Sequence, residues 1–244
     1  LGEYDVSETA SPFREFGDEG EEVAPRSHSP PDKRPPSPSD KLLRTRSMLV
    51  TQPFTHQAGG ARVLRKLQGP RALVAKPCCR REAWFYKTVR GGIRDFAPKF
   101  HGIKRDDKGV ASVLLEDLTQ GYTCPCVLDV KMGVCTAAPD RVPAKRERCV
   151  LKDTRTTTGS IGARICGLRA YQVVDGGYKM LDKHEGNKLS FEEFPEAISQ
   201  FFHNGARMRR RLALRFLERL QPIARLMEGG GDHRLYASSI LFIY

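Results

Sequence analysis

The chain has 244 residues, enough for one large domain or two lobes that share a cleft. Hydrophobic residues make up 39%, too many for a wholly disordered chain and few for a compact globule, so a disordered part beside a folded one is expected. Net charge is +12, and positions 61–105 hold thirteen Lys or Arg against two acidic residues. Such a field attracts polyanions: nucleic acid, anionic lipid or a highly phosphorylated small molecule. The seven cysteines include Cys78-Cys79 and Cys124-x-Cys126, which lack the paired C-x-x-C spacing of a structural zinc site. With no secretory signal and no apolar run of membrane-spanning length in the sequence, reduced thiols in a cytoplasmic or nuclear protein are expected. A chain that opens on Leu1 and stops within Leu241-Phe242-Ile243-Tyr244 reads as a piece of a longer protein.

Taken in order, residues 1–50 join an acidic stretch, Asp18-Glu19-Gly20-Glu21-Glu22, to Ser-Pro-rich sequence around Pro35-Pro36-Ser37-Pro38. Prolines fix backbone angles and remove donors, so this is read as a disordered tail, with order beginning between Leu49 and Phe54. Val63-Leu64 and Ala72–Lys76 read as strands about the Gly69-Pro70 turn, and Arg81–Val89 as a helix. Ser112–Leu115 and Cys126–Lys131 read as strands, residues 139–160 as irregular or briefly helical, and Arg164–Val174 as a strand. Phe191, Phe194, Ile198, Phe201 and Phe202 line one face of a helix stopped by His203-Asn204-Gly205, where His203 is a cap and not a catalyst. Met208, Leu212, Phe216, Leu220, Ile223 and Met227 mark a second helix that Pro222 should kink or shorten, and Ser238–Tyr244 closes as a strand. Strands first and helices later make an α+β chain.

The most informative stretch is Pro125-Cys126-Val127-Leu128-Asp129-Val130-Lys131-Met132-Gly133. Strand alternation puts Asp129 and Lys131 on one face. An unlike pair carried by an apolar strand is costly to bury unless something nearby uses both charges. A nucleotide phosphate beside a second anionic substrate would use them.

This P-x-x-x-D-x-K-x-G stretch resembles the signature of the inositol polyphosphate kinase family. The resemblance extends over most of residues 51–244: Pro53-Phe54-x-His56-Gln57-x-Gly59-Gly60 is similar to the family's glycine-containing opening, and Ala75-Lys76-Pro77 with Glu82-x-x-Phe85-Tyr86 to its lysine strand and following helix. It implies a two-lobed kinase-like α+β fold, with a tail over 1–50, a smaller β-rich N-lobe over 51–118 and a larger C-lobe over 119–244, incomplete at its end. It also implies that Lys76 contacts ATP phosphates, that Glu82 orients Lys76, and that the backbone of Glu116 and Leu118 meets adenine. Asp129 is implied to hold the ribose, and Lys131 to contact the transferred phosphate and the inositol substrate, as phosphoryl transfer requires.

Lys145, Arg146, Arg148 and Lys152 then resemble the inositol phosphate-binding segment, and Lys183 matches part of a substrate-contacting Lys-Tyr-Tyr-Gly-Arg element in which Asn187 replaces the Arg. Thr156-Thr157-Thr158-Gly159-Ser160-Ile161-Gly162 with Arg164, Ile165, Cys166 and Gly167 is most similar to the inositol hexakisphosphate kinases. The implied cofactors are ATP and Mg2+, and the implied substrate is inositol hexakisphosphate or a related polyphosphate. The family's metal-binding Asp is expected past Tyr244, so no metal ligand is assigned here and the piece alone is expected to be inactive. Neighbouring readings are a multikinase acting on ring hydroxyls and a basic module for RNA or phosphoinositides, although no recognised nucleic-acid module is present. A monomer without a stable nucleic-acid or membrane partner is expected. Asp182–Glu193 imitates a calcium loop but puts His184, Gly186 and Asn187 at the wrong places, and is rejected.

Overall fold

The structure is a computed structural model that describes residues 51–59, 63–107, 109–230 and 234–244. The expected tail over 1–50 lies outside the described residues.

The fold is α+β in two lobes. The first is a five-stranded antiparallel sheet of β1 (Thr51–Pro53), β2 (Arg65–Leu67), β3 (Leu73–Pro77), β4 (Phe100–Arg105) and β5 (Ala111–Glu116), in the order β1-β2-β3-β5-β4. Helix α1 (Arg80–Thr88) and the short α2 (Gly92–Asp95) follow β3. Glu82 in the first turn of α1 and Lys87 in its last both suit the helix dipole. A small core of Cys78, Val113 and Leu115 is packed by Ala83, Tyr86, Phe100 and Ile103, which joins α1 to the sheet.

The second lobe holds the antiparallel sheet β8-β7-β6-β9, made of β6 (Val127–Met132), β7 (Ala163–Gln172), β8 (Gly177–Leu181) and β9 (Ser239–Ile243). Its helices are α3 (Pro143–Thr154), α4 (Thr157–Ile161), α5 (Lys183–Lys188), α6 (Glu193–Phe202) and α7 (Arg210–Glu228). β6 is central, and Val127 to Val130 are all buried. Leu128, Val130, Ile165, Leu168 and Ala170 pack against Ala197, Phe201 and Phe202 of α6, with Phe216 of α7 and Phe242 of β9 at the edge. Phe201 is fully buried, and such a ring contributes about 1.5–3 kcal/mol from burial alone. This core holds the signature strand in place.

Several expectations are corrected. The strand expected at Val63-Leu64 lies at Arg65–Leu67, the stretch that pairs with both β1 and β3; the Phe54 N–H to Leu64 carbonyl bond at 3.1 Å carries the β1 pairing one residue further. Residues 139–160 hold a 12-residue helix and a second short one, since Pro143 starts α3 where a missing N–H costs nothing. Pro222 does not shorten α7, which runs to Glu228; Leu226 beyond it packs toward α2, where a Cβ on Gly92 would lie 3.0 Å from a Leu226 methyl. Phe191 is exposed in the turn before α6 instead of lining its buried face. Asp182 caps α5 by accepting the His184 and Glu185 N–H groups, and Glu185 reaches back to the Asp182 N–H at 2.6 Å. Those carboxylates are thus occupied in helix capping.

Candidate active site

Lys76 ends β3 and Glu82 stands in the first turn of α1. The short connection brings Lys76 Nζ within 2.5 Å of Glu82 Oε1. Burial pulls the ammonium down, but the Glu82 carboxylate outweighs it, with Tyr86 and Asp129 adding, so the Lys76 pKa is raised above its ordinary value. Asp129 belongs to the other lobe. The loop that leaves β1 in the first lobe reaches this carboxylate.

Asp129 is buried on β6, and its Oδ1 has no hydrogen-bond partner among the described residues. An unmet buried acceptor calls for a donor from outside, such as a hydroxyl. Directly across the ladder, Asp129 pairs with Gly167 of β7. The loop that leaves β1 lies over this pair: a Cβ on Gly167 would fall 1.7 Å from the Ala58 carbonyl oxygen, and one on Gly59 would fall 2.7 Å from Asp129 Oδ2. Both positions exclude a side chain, so backbone closes on the carboxylate.

Lys131, two residues on, does not pair with Asp129 among the described contacts. Its Nζ donates to the Ala237 carbonyl at 2.9 Å and to Ser239 Oγ at 3.0 Å, across the register with β9. Ala237 is the non-glycine residue with positive φ, 55°, among those described. Its partners are neutral, so the ammonium keeps an uncompensated charge.

Glu116 and Leu118 lie where the first sheet ends. The Glu116 side chain accepts the Lys99 N–H at 2.8 Å, and Leu118 is exposed. Between them Asp117 is buried: it accepts the Thr119 N–H at 2.9 Å and hydroxyl at 2.6 Å, and pairs with Lys66 at 3.2 Å. Burial pushes the Asp117 carboxyl up, but the Thr119 bonds and Lys66 prevail and hold it below its ordinary value.

Lys145, Arg146 and Arg148 are exposed on α3 and Lys152 is half-buried. Helical spacing puts Lys145, Arg148 and Lys152 along one stripe, with Arg146 turned to the side. Beside Lys152, Asp153 is buried and fastens α3 to the segment after β6, accepting the Thr136 N–H at 2.6 Å and hydroxyl at 2.7 Å. Arg164, fully buried, lies 3.9 Å from Asp153 and donates to Thr156 Oγ1 at 3.2 Å. The Lys152 ammonium is held below its ordinary value by burial, then by Arg164 and Lys183. Arg164 and Lys183 therefore add positive charge around Lys152, which Asp153 partly offsets. Buried Thr157 and Thr158 hydroxyl oxygens and Arg164 Nε lack hydrogen-bond partners among the described residues. Asp117, Asp153 and Arg164 are the residues the sequence left without a role.

Among the described residues no three His, Cys, Asp or Glu side chains converge to hold a metal ion. The Asp129 Oδ1 acceptor, the glycine contacts and Lys76 suit a nucleotide, whose own phosphates supply most of the ligands of a bound Mg2+.

The sequence profile described as inositol polyphosphate kinase matches residues 112–244, more than half of the chain. The chain belongs to the inositol polyphosphate kinase family. The profile takes in Asp129, Lys131 and the cationic helix α3. Human inositol hexakisphosphate kinase 3 is 32% identical over 210 residues, covering 85% of this chain and 47% of the relative. Human inositol hexakisphosphate kinase 2 is 40% identical over 132 residues, 54% of this chain and 31% of that protein. The chain thus spans about a third to a half of the length of the curated relatives it matches. An inositol phosphate multikinase from S. cerevisiae, solved with ADP and Mn2+, superposes with a TM-score of 0.60 at 28% identity, covering 70% of this chain and 74% of that one. The two-lobed fold is the one this family member shares with it.

Proposed function

We propose that the chain carries the nucleotide and inositol phosphate sites of an ATP-dependent inositol hexakisphosphate kinase. The observation that carries this reading is a buried Asp129 carboxylate lying beneath the Ala58-Gly59 loop, beside the Lys76–Glu82 pair of the same lobe as that loop. Lys76 neutralises ATP phosphates, Glu82 aims it, the backbone near Glu116 and Leu118 receives adenine, and the free Asp129 oxygen accepts a ribose hydroxyl. Lys131 neutralises charge on the phosphoryl group in transit. In the reaction, the bond from the γ-phosphorus to the ADP oxygen breaks as a substrate phosphate oxygen bonds to that phosphorus, and ADP leaves. Lys145, Arg148, Lys152 and Lys183 hold the substrate's phosphates, with Arg146 at the side of the group; the lysines act as point charges and the arginines as bidentate donors. The cofactors in this reading are ATP and Mg2+; no step is assigned to the ion. The protein acts as a monomer in the cytoplasm or nucleus.

The solved multikinase neighbour favours a second reading, transfer to ring hydroxyls of less phosphorylated inositols. Steady-state kinetics on the intact protein separates the two. The first reading expects a higher kcat/KM for inositol hexakisphosphate than for tris- and tetrakisphosphates. A preference for the less phosphorylated substrates, with none for the hexakisphosphate, would replace it by the second.

A further inference from the structure

The loop from Phe54 to Gly59 springs from the first sheet but rests on the second. It is anchored at its base beside β2, where the Phe54 N–H donates to the Leu64 carbonyl at 3.1 Å and the Leu64 N–H to Gln57 Oε1 at 2.9 Å, and Gln57 Nε2 braces it by donating to the Gly59 carbonyl at 2.8 Å. The position of its far end is then set by what it touches on the second sheet. Two outside contacts stand out. One is the close approach of the Ala58 carbonyl to Gly167. The other is Arg169 of β7, whose Nη1 donates to the Thr55 carbonyl. The Arg169 guanidinium also lies 3.9 Å over the Tyr178 ring of β8, which fixes its plane as well as its charge.

We propose that Arg169 is a positioning residue that latches the glycine-containing loop onto the C-terminal sheet and so holds Gly59 over Asp129 for nucleotide binding. The inference rests on the nucleotide reading above. Register ties the parts together, because Gly167 faces Asp129 across the ladder and Arg169 lies two residues along the same strand. Fixing the loop at Thr55 and Ala58 therefore fixes it over the carboxylate. His56, inside the loop, has its pKa lowered by burial and then by Arg169, against Asp117, which favours a neutral ring beside the guanidinium. A lysine in this place could donate to Thr55 but would give no flat surface for Tyr178.

The test compares Arg169→Ala, Arg169→Lys and Tyr178→Leu in the intact protein by amide hydrogen exchange over 54–59 and by steady-state kinetics. One charge-assisted bond lost predicts exchange about tenfold faster in Arg169→Ala and an ATP KM about tenfold higher. The KM for the inositol phosphate and kcat should stay within about twofold, since the loop meets neither in this account. Arg169→Lys should recover part of both effects, and Tyr178→Leu should show both more weakly. Unchanged exchange over 54–59 in Arg169→Ala would overturn the latch. Equal rises in both KM values with a lower melting temperature would also overturn it, as loss of general stability. A wild-type protein that binds no ATP would sink the nucleotide reading, and the exchange arm would still decide the latch.

Discussion

Lys76 owes its place to a short-range device: a strand, a tight connection and a first helical turn bring its ammonium against Glu82. Lys76→Ala should raise the ATP KM about tenfold or more while the inositol phosphate KM holds, since a bond to a charged group is lost at one ligand only; parallel steady-state titrations of the two substrates check it. Asp117 makes a different kind of prediction. Its carboxyl is held below the ordinary aspartate value of about 3.9, so its ionised contacts add stability that is complete above that value and is lost as pH falls through the lower folded pKa. The gap in thermal midpoint between wild type and Asp117→Asn should thus be widest at neutral pH and close below about pH 4. A gap that stays constant down to pH 2 would contradict the assigned ionisation. The Lys76–Glu82 pair was legible in the sequence because its partners are local. The partners of Asp117 and Asp153 were not, because Lys66 and Thr136 come from other elements and only folding brings them near.

At the scale of elements, strands with long apolar runs were legible and polar ones were not. β6 announced itself through five apolar residues around Asp129, whereas β4 carries His101, Gly102, Lys104 and Arg105, and β8 is a five-residue strand with Lys179 at its centre. Both owe their strand state to pairing, β4 along β5 and β8 along β7. Helix α3 was under-read because its mean composition is polar, and its N-terminal proline was the overlooked start signal. Its stripe of cations carries the proposed substrate contact. Charge reversal at Lys145 and Lys152 together should raise the inositol phosphate KM by about a hundredfold or more, because each converts an attraction into a repulsion. The ATP KM and the circular dichroism spectrum should hardly change. Equal loss for both substrates would place the stripe outside the substrate site.

In the molecule as a whole, each of the two sheets contributes one half of the candidate site. The first brings Lys76 and the glycine loop, and the second brings Asp129, Lys131 and the cations gathered around Lys152. The signature stretch made the second half readable in sequence. That the loop of the first lobe rests on Gly167 was not readable, because it depends on where two separate backbones meet. The central claim is that ATP and a polyphosphorylated inositol react between these halves. Phosphorus NMR of the intact protein with ATP, a divalent cation and inositol hexakisphosphate tests it most directly. A diphosphate signal on the inositol should grow with ADP, and it should be lost in Lys131→Ala while that variant keeps its fold. No ATP-dependent change in the inositol spectrum, together with tight binding of a short RNA, would contradict it.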